Sequence, residues 1–323
     1  MAPSPGDYRP PSWLPGGHLQ TIWPLLCKGP RPPLQRERWS TPDGDFIDLD
    51  WLPHTPGAPL VVLFHGLEGS SDSPYARSLL RHLDSLGWNC VVPHFRGCSG
   101  EPNRLPRAYH AGDADELDWI LERLAARHPD VPRFAAGVSL GGNALLVWLG
   151  TRGSAAGRHL QAAAAICAPL DLAAMGHHLG RGVNRLYTRH FLATLKARAL
   201  AKLRQHPGLF DPAAVRRARN LHAFDDLVTA PLHGFRGSDD YWRRASSKPL
   251  LPAITVPTLV LNPRNDPFLP AGHLPGAADV APAICLEQPA QGGHVGFVSG
   301  PWPGQLDWLP RRLVRFFTEA GKG

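Results

Sequence analysis

The feature that most constrains the fold is a sharp corner predicted at residues 137–141, which read Gly-Val-Ser-Leu-Gly. A short apolar run, residues 134–138, leads into the corner, as a strand covered on both faces requires. A serine on so tight a turn brings the backbone two residues before it and two residues after it into contact. Gly137 and Gly141 are therefore the residues that fit. This spacing between a strand and a helix is that of a nucleophile elbow, with Ser139 at its apex.

Apolar, strand-like runs alternate with amphipathic helices along much of the 323-residue chain. This alternation predicts an α/β fold with a mainly parallel central sheet flanked by helices. The predicted strands are residues 46–52, 59–64, 88–95, 134–138, 162–168, 257–262 and 283–288. The first of them alternates apolar and acidic residues, so we expect it to be a half-exposed edge strand.

Two segments depart from this alternation. Residues 1–45 are rich in proline and carry scattered tryptophan and leucine, which indicates an irregular N-terminal arm packing on the core, with an interfacial membrane anchor as the alternative. Residues 171–248 show helices but no strand, which predicts a helical cap above the carboxyl ends of the strands, where such folds bind ligands. The α/β core should then comprise residues 46–170 and 249–323, within a single structural domain overall.

The formal net charge of +7 is concentrated in the predicted cap. Residues 176–222 hold ten Lys and Arg but a single acid, Asp211, so the rest of the chain is close to neutral. A local basic patch favours peripheral contact with an anionic partner such as lipid, and a solvated helix face is the alternative. No nucleic-acid partner is predicted, because the sequence contains no zinc-finger, helix-turn-helix or RNA-recognition signature.

The cysteines and the N-terminal residues bear on the cellular compartment of the protein and on its need for a metal or cofactor. Five scattered cysteines form no Cys-x-x-Cys pair and no metal-ligand spacing, so neither a metal nor a cofactor is predicted. Residues 1–7 lack the basic and apolar regions of a signal peptide, and no run of about 20 apolar residues exists. We therefore expect a cytoplasmic protein with reduced thiols.

A serine hydroxyl becomes a useful nucleophile only when a base accepts its proton and an acid orients that base. Asp266 and His294 each follow a predicted strand, and with Ser139 they give the chain order Ser, Asp, His. Asp171 is a rival for the acid, because it follows the strand after the elbow. The glycines around His294 indicate a flexible surround that would let the imidazole swing over the serine.

A tetrahedral intermediate on Ser139 would carry an oxyanion that needs hydrogen-bond donors. The backbone amide of Leu140, directly after the nucleophile, is one candidate for this oxyanion hole. The amide of Leu67, in the loop that begins at His65, is the other. We expect His65 either to shape this loop or to be a structural turn residue.

Eight blocks of sequence together resemble the YheT-like branch of the α/β-hydrolases, over nearly the whole chain from residue 13 onward. These blocks are HGLEGS at 65–70, HFRGCSGE at 94–101, NR at 103–104, YHAGD at 109–113, GVSLGGN at 137–143, FDD at 224–226, DPF at 266–268 and GGHVGF at 292–297. The resemblance implies a carboxylic-ester hydrolase whose triad falls on Ser139, Asp266 and His294. Asp225 and Asp226 match a block with no agreed role, and we expect them to anchor the cap against its own arginines.

The resulting hypothesis is a hydrolase of small-molecule, lipophilic acyl esters, of the short- or medium-chain carboxylesterase or monoacylglycerol lipase type, which acts through an acyl-serine intermediate. An acyltransferase that uses the same triad but an alcohol in place of water is one alternative. A binding protein that keeps the fold without turnover is another. The residues alone do not separate the first two, because both share the acylation half of the reaction.

Overall fold

The computed structural model describes residues 8–321, so residues 1–7, where we find no signal peptide, lie outside the described part. One sheet of eight strands runs through the described residues in the order β1-β2-β4-β3-β5-β6-β7-β8. The strands are β1 (Gln35–Ser40), β2 (Phe46–Trp51), β3 (Leu60–Phe64), β4 (Asn89–Pro93), β5 (Arg133–Val138), β6 (Ala162–Ile166), β7 (Thr258–Leu261) and β8 (Ile284–Glu287). Every pair from β4 to β8 is parallel, which confirms the predicted mainly parallel α/β fold.

The α-helices cover both faces of this sheet and build two cores. They are α1 (Gly17–Ile22), α2 (Pro74–Ser85), α3 (Ala114–Arg127), α4 (Leu140–Arg152), α5 (Leu172–Leu179), α6 (Arg185–Gln205), α7 (Pro212–Arg217), α8 (Leu221–Phe224), α9 (Ala230–Leu232), α10 (Ser238–Ala245) and α11 (Trp308–Ala320). Alternate residues of β3 show the division, since Val62 packs in the core that contains α3 and α4, whereas Val61 packs against α2 and α11. A strand buried on both faces in this way explains the continuous apolar runs in the sequence.

The prediction of a half-exposed edge strand at residues 46–52 is wrong. β2 is buried because β1 pairs with it antiparallel and occupies the edge. The acids that looked solvent-facing are paired with arginines of β1, with 2.7 Å between Arg38 Nε and Asp48 Oδ1 and 2.7 Å between Arg36 Nε and Asp50 Oδ1. Alternation of apolar and acidic residues therefore reflects cross-strand ion pairs here rather than exposure to water.

The chain between β6 and β7 contains helices α5 to α10, and the structure assigns no strand to it. The spacing of apolar residues predicts an amphipathic basic helix over residues 185–204, and α6 matches this range to within one residue. It buries Leu192 and Ala199 in the core that also contains α3 and α4. Whether this helical segment is a separate cap stays a prediction.

The N-terminal arm is partly buried and partly exposed. Leu14 and Trp39 are buried, and α1 packs against the loops that follow β7 and β8. Leu25 and Leu26, which we expected to pack on the core, are 58% and 73% exposed. No helix within residues 8–321 combines the length and the apolar content needed to cross a bilayer.

Candidate active site

The predicted corner between β5 and α4 is present and is as tight as the glycine spacing indicates. Ser139 has φ 52° and ψ −119°, a conformation that side-chain-bearing residues rarely adopt. A Cβ atom on Gly137 would lie 2.5 Å from the carbonyl oxygen of Gly141, and one on Gly141 would overlap the carbonyl oxygen of His65. Both positions therefore require glycine, and the serine side chain is held at the amino end of α4.

Three predicted side chains form one chain of hydrogen bonds. His294 Nε2 lies 2.9 Å from Ser139 Oγ, and His294 Nδ1 lies 2.9 Å from Asp266 Oδ2. The other oxygen of Asp266 accepts a hydrogen bond from the backbone N–H of Phe268 at 2.8 Å, which fixes the carboxylate. The Phe268 ring stacks on the imidazole with the centroids 3.9 Å apart. With Nδ1–H donating to the carboxylate, Nε2 is free to accept the serine proton.

The rival acid, Asp171, lies elsewhere in the network. Its side chain caps α5 by accepting a hydrogen bond from Ala174 N at 2.9 Å. Its second oxygen lies 3.2 Å from Nδ1 of His273, not of His294. The structure therefore brings Asp266, and not Asp171, to the histidine that contacts Ser139.

Sequence reasoning missed the helix that holds these loops in place. Gln20 of α1 is fully buried, and its Oε1 accepts hydrogen bonds from Gly292 N and from Asn265 Nδ2, both at 3.0 Å. The next residue, Thr21, accepts a hydrogen bond from His294 N at 2.8 Å. Helix α1 thus ties the loop of Asp266 to the loop of His294. Nothing in the sequence of the proline-rich arm predicted this role, because a glutamine amide and a threonine hydroxyl do not by themselves indicate which loop they will hold.

The expectation that glycines make the His294 loop flexible is wrong. A Cβ atom on Gly293 would lie 2.8 Å from Gly17 O, and one on Gly296 would overlap the backbone carbonyl oxygen of Gln20. A Cβ atom on Gly17 would in turn overlap the carbonyl oxygen of Asn265. These glycines are needed because α1 approaches the loop at backbone distance, so they indicate close packing rather than mobility.

The loop after β3 is held rigidly on both sides of Leu67. Gly66 N donates to the Tyr75 hydroxyl at 2.8 Å, and Glu68 N donates to the Tyr109 hydroxyl at 2.9 Å. Leu67 N itself has no acceptor among residues 8–321, and Leu67, Ser139 and Leu140 line one cavity. The N–H of Leu140 begins α4 and likewise has no partner within the helix.

His65 supports this loop through hydrogen bonds of both ring nitrogens. It is buried, and its Nε2 accepts a hydrogen bond from Phe95 N at 3.1 Å, so its Nδ1–H donates to Gly66 O at 2.8 Å. Burial, with a smaller contribution from the neighbouring His94, lowers the pKa of His65 to about 3. The ring is therefore neutral at physiological pH and acts as a structural support for the loop.

A cavity of about 360 Å³ opens beside Ser139. Its walls near the serine are apolar and come largely from the helices between β6 and β7, among them Leu172, Met175, Leu179, Phe191, Leu195 and Phe224. Two of its basic side chains are already paired, because Arg198 Nε lies 2.7 Å from Glu68 Oε2 and Lys202 Nζ donates to Asn103 O at 2.6 Å. The space next to the serine thus suits an apolar chain.

One group of side chains within residues 8–321 has the spacing of metal ligands, namely Cys167, Asp266 and His294. Asp266 and His294 already bind each other, and Val295 N donates to Cys167 Sγ at 3.2 Å. Burial raises the pKa of the Cys167 thiol well above its usual value, so the thiolate that a metal prefers is disfavoured. We assign these residues no metal.

The expected pairing of Asp225 and Asp226 with arginines is wrong. Asp225 accepts hydrogen bonds from Trp242 Nε1 at 2.8 Å and from Thr229 Oγ1 at 2.6 Å. Asp226 accepts one from Ser238 N at 3.0 Å. Burial raises the pKa of Asp225 to about 6, because these partners replace only part of its hydration. The two acids thus bind neutral donors from the residue before α9 and from α10.

The fold and this side-chain arrangement are those of an α/β hydrolase, and the chain belongs to that family: the family profile described as alpha/beta hydrolase fold matches residues 59–301. The resemblance to the YheT-like branch is also confirmed. "Putative esterase YheT" of Escherichia coli (strain K12) is 38% identical over 321 residues, which are 98% of this chain and 94% of that protein.

Two further comparisons agree with this assignment. "Phospholipase ABHD3" of Mus musculus is 32% identical over 323 residues, and the match covers 96% of this chain and 77% of that protein. The solved structure of Est1E from Butyrivibrio proteoclasticus with ferulic acid bound has a TM-score of 0.55 at 15% identity, covering 89% of this chain and all of the other. At that identity the structural likeness bears on the fold alone.

Proposed function

We propose that this chain hydrolyses carboxylic esters with Ser139 as the nucleophile and His294 as the general base. Asp266 orients the imidazole and stabilises it when it is protonated. The observation that carries the proposal is the continuous set of hydrogen bonds from Ser139 Oγ through His294 to Asp266, at the edge of an apolar cavity.

The reaction follows from the positions of these atoms. Ser139 Oγ attacks the carbonyl carbon of the ester while His294 Nε2 accepts the hydroxyl proton. The carbonyl oxygen becomes an oxyanion, and we assign its stabilisation to the free amides of Leu67 and Leu140. His294 then returns the proton to the leaving alcohol, and an acyl-serine remains. Water repeats the sequence with the same groups and releases the acid.

We infer that the acyl group of the substrate is apolar. The cavity walls are largely aliphatic and aromatic, and two basic side chains that line the cavity, Arg198 and Lys202, are held by Glu68 and by the backbone carbonyl of Asn103. This favours a carboxylesterase of short- or medium-chain esters or a monoacylglycerol lipase. The words esterase and phospholipase in the names of the relatives support the same class of substrate.

The deciding experiment is labelling with a fluorophosphonate probe, which reacts only with an activated serine. Wild type should be labelled and should hydrolyse p-nitrophenyl esters, whereas Ser139→Ala should take up no probe and lose about a million-fold in turnover. Ser85→Ala is the matched control, since that serine is exposed and donates only to His82 O. Labelling that persists in Ser139→Ala would assign the nucleophile elsewhere, and an unlabelled wild type would favour a binding protein.

An acyltransferase remains the second candidate because its acylation step is identical. Addition of ethanol or glycerol to the hydrolysis assay separates the two. A hydrolase should give mainly the free acid, whereas a transferase should give mainly the new ester at alcohol concentrations far below that of water.

A further inference from the structure

Three segments of the chain present exposed apolar side chains, and we call them together the apolar face. The first is α1 with the 3₁₀ turn Trp23–Leu26 that follows it, the second is the 3₁₀ turn Gly182–Asn184 with the start of α6, and the third is the loop at Trp302. Among residues 8–321, eight large apolar side chains are markedly exposed, and seven of these lie in the three segments: Leu19, Ile22, Leu25, Leu26, Val183, Leu186 and Trp302. The eighth, Leu86, lies between α2 and the start of β4, at the amino ends of the parallel strands, whereas α1 contacts loops at their carboxyl ends.

Contacts between the segments make this face continuous. The ring of His18 stacks on that of Tyr187, and His18 Nδ1 lies 3.1 Å from the Tyr187 hydroxyl, so α1 lies against the start of α6. Trp23 Nε1 donates to Pro303 O at 2.7 Å, which joins the 3₁₀ turn to the loop of Trp302. Exposed apolar area gathered in one place is unusual for a soluble surface and marks an interaction site.

The apolar face lies next to the proposed catalytic histidine. The side of α1 opposite Leu19 and Ile22 holds the loop of His294 through Thr21. Tyr187 packs edge-on against Phe268 with the centroids 5.0 Å apart, and Phe268 stacks on His294. Whatever binds this face is therefore only two side chains away from the site of reaction.

Unpaired positive charge accompanies the same face. Arg181, Arg185 and Arg189 are exposed and form no ion pair with any residue between 8 and 321. Arg185 and Arg189 are one helical turn apart, on the exposed side of α6 that also carries Leu186. By contrast, two other basic residues of this helix, Arg198 and Lys202, point inward to Glu68 and Asn103.

We propose that the apolar face and its arginines bind the surface of an anionic phospholipid bilayer. Such a surface offers acyl chains for the leucines and Trp302, and phosphates for the arginines. A second copy of the chain fits less well, because it would bring the unpaired arginines of both copies together without a counter-charge. This inference goes beyond the proposed function, since binding to lipid does not require Ser139 to react.

Sedimentation with vesicles tests the proposal on the full chain. Wild type should partition onto vesicles of phosphatidylcholine mixed with phosphatidylglycerol, should bind poorly to phosphatidylcholine alone, and should be released by salt. Replacement of Arg181, Arg185 and Arg189 together by Gln should weaken binding by about a hundredfold, at roughly fivefold per charge. The pair Leu25→Asp and Leu26→Asp should also abolish it, whereas Leu86→Asp is the matched control and should bind as wild type does.

Hydrolysis of a water-soluble p-nitrophenyl ester, measured on every variant, separates this proposal from the proposed function. It should stay unchanged, because none of these residues belongs to the catalytic machinery. The proposal is overturned if wild type does not bind anionic vesicles, or if the Gln and Asp variants bind them as tightly as wild type does. Analytical ultracentrifugation that shows a dimer broken by Leu25→Asp and Leu26→Asp, without vesicle binding, would assign the face to a second copy instead.

Discussion

Replacement of Gln20 by Met tests whether α1 holds the two loops of the proposed triad. Met has a similar length but no hydrogen-bonding amide, so the change removes polar contacts with little change in volume. Gln20 makes four hydrogen bonds, accepting from Gly292 N and Asn265 Nδ2 and donating to Leu14 O and Gln291 Oε1. The side chain is fully buried, so water cannot readily replace it.

The magnitude follows from these contacts. At about 0.5–1.5 kcal/mol of net stabilisation per bond, four lost bonds amount to roughly 2–6 kcal/mol. The main effect should be local, because α1 contacts the loops after β7 and β8 rather than the strands themselves. If poorer alignment of His294 with Ser139 raises the activation free energy by about 2–4 kcal/mol of this total, kcat/KM should fall by about 30- to 1,000-fold.

The assay measures kcat/KM on a p-nitrophenyl ester, the fluorophosphonate labelling rate and Tm for each variant. Gln288→Met is the matched control, because the Gln288 side chain makes a single hydrogen bond, to Pro275 O, and none to Asp266, His294 or helix α1. We expect both activity and labelling to fall in Gln20→Met while Tm changes by only a few degrees. Wild-type kcat/KM in Gln20→Met would refute the positioning role, and loss of the folded state altogether would show that α1 supports the whole domain instead.

Three further predictions follow from the same structure. Asp266→Asn should lower kcat by about 10,000-fold with little change in Tm, because the amide no longer holds Nδ1–H toward it, and an effect below tenfold would contradict the assigned role. Gly296→Ala should also reduce kcat/KM, through a steric conflict with Gln20 O that costs about 1–3 kcal/mol, whereas Gly157→Ala, in open space and, like Gly296, without a positive φ, is the matched control. Burial alone would raise the pKa of Asp50, but hydrogen bonds from His94, Arg36 and Ser71 hold it below its ordinary value of 3.8. The stability that it contributes is therefore present above about pH 4 and is lost as the pH falls through the lowered pKa, so Asp50→Asn should destabilise the protein at pH 7 and flatten its acid unfolding curve below pH 4.

Local sterics and periodicity were enough to predict the elbow and most of the elements. Gly137 and Gly141 are required by atoms only a few residues away, so their spacing around Ser139 predicts the turn without any knowledge of the rest of the fold. Helix α6 and the parallel strands β3 to β8 follow from periodicity and apolar runs in the same way. The order Ser, Asp, His then pointed to the side chains that the structure places in one hydrogen-bonded chain.

Features that depend on distant partners were not predictable. β1 reads Gln-Arg-Glu-Arg-Trp-Ser, which has no strand-like apolar pattern, and it is a strand because Arg36 and Arg38 find Asp50 and Asp48 on β2. Because Asp48 and Asp50 were interpreted as exposed to solvent, β2 was predicted to be an edge strand. A polar side chain has a role only once its partner is known, and the partner here is far away in sequence or on another strand.

What the sequence determined by itself is therefore the backbone geometry at Ser139, the α/β layering and the candidates for the triad. Only the tertiary structure placed Asp266, and not Asp171, against His294, revealed that Gln20 and Thr21 hold the loop of His294, and showed that its glycines serve close packing. The physical reason is range: steric limits and periodicity act over a few residues, whereas α1 reaches the loop of His294 across more than 270 residues of chain. Contacts of that kind leave no periodic trace in a single sequence.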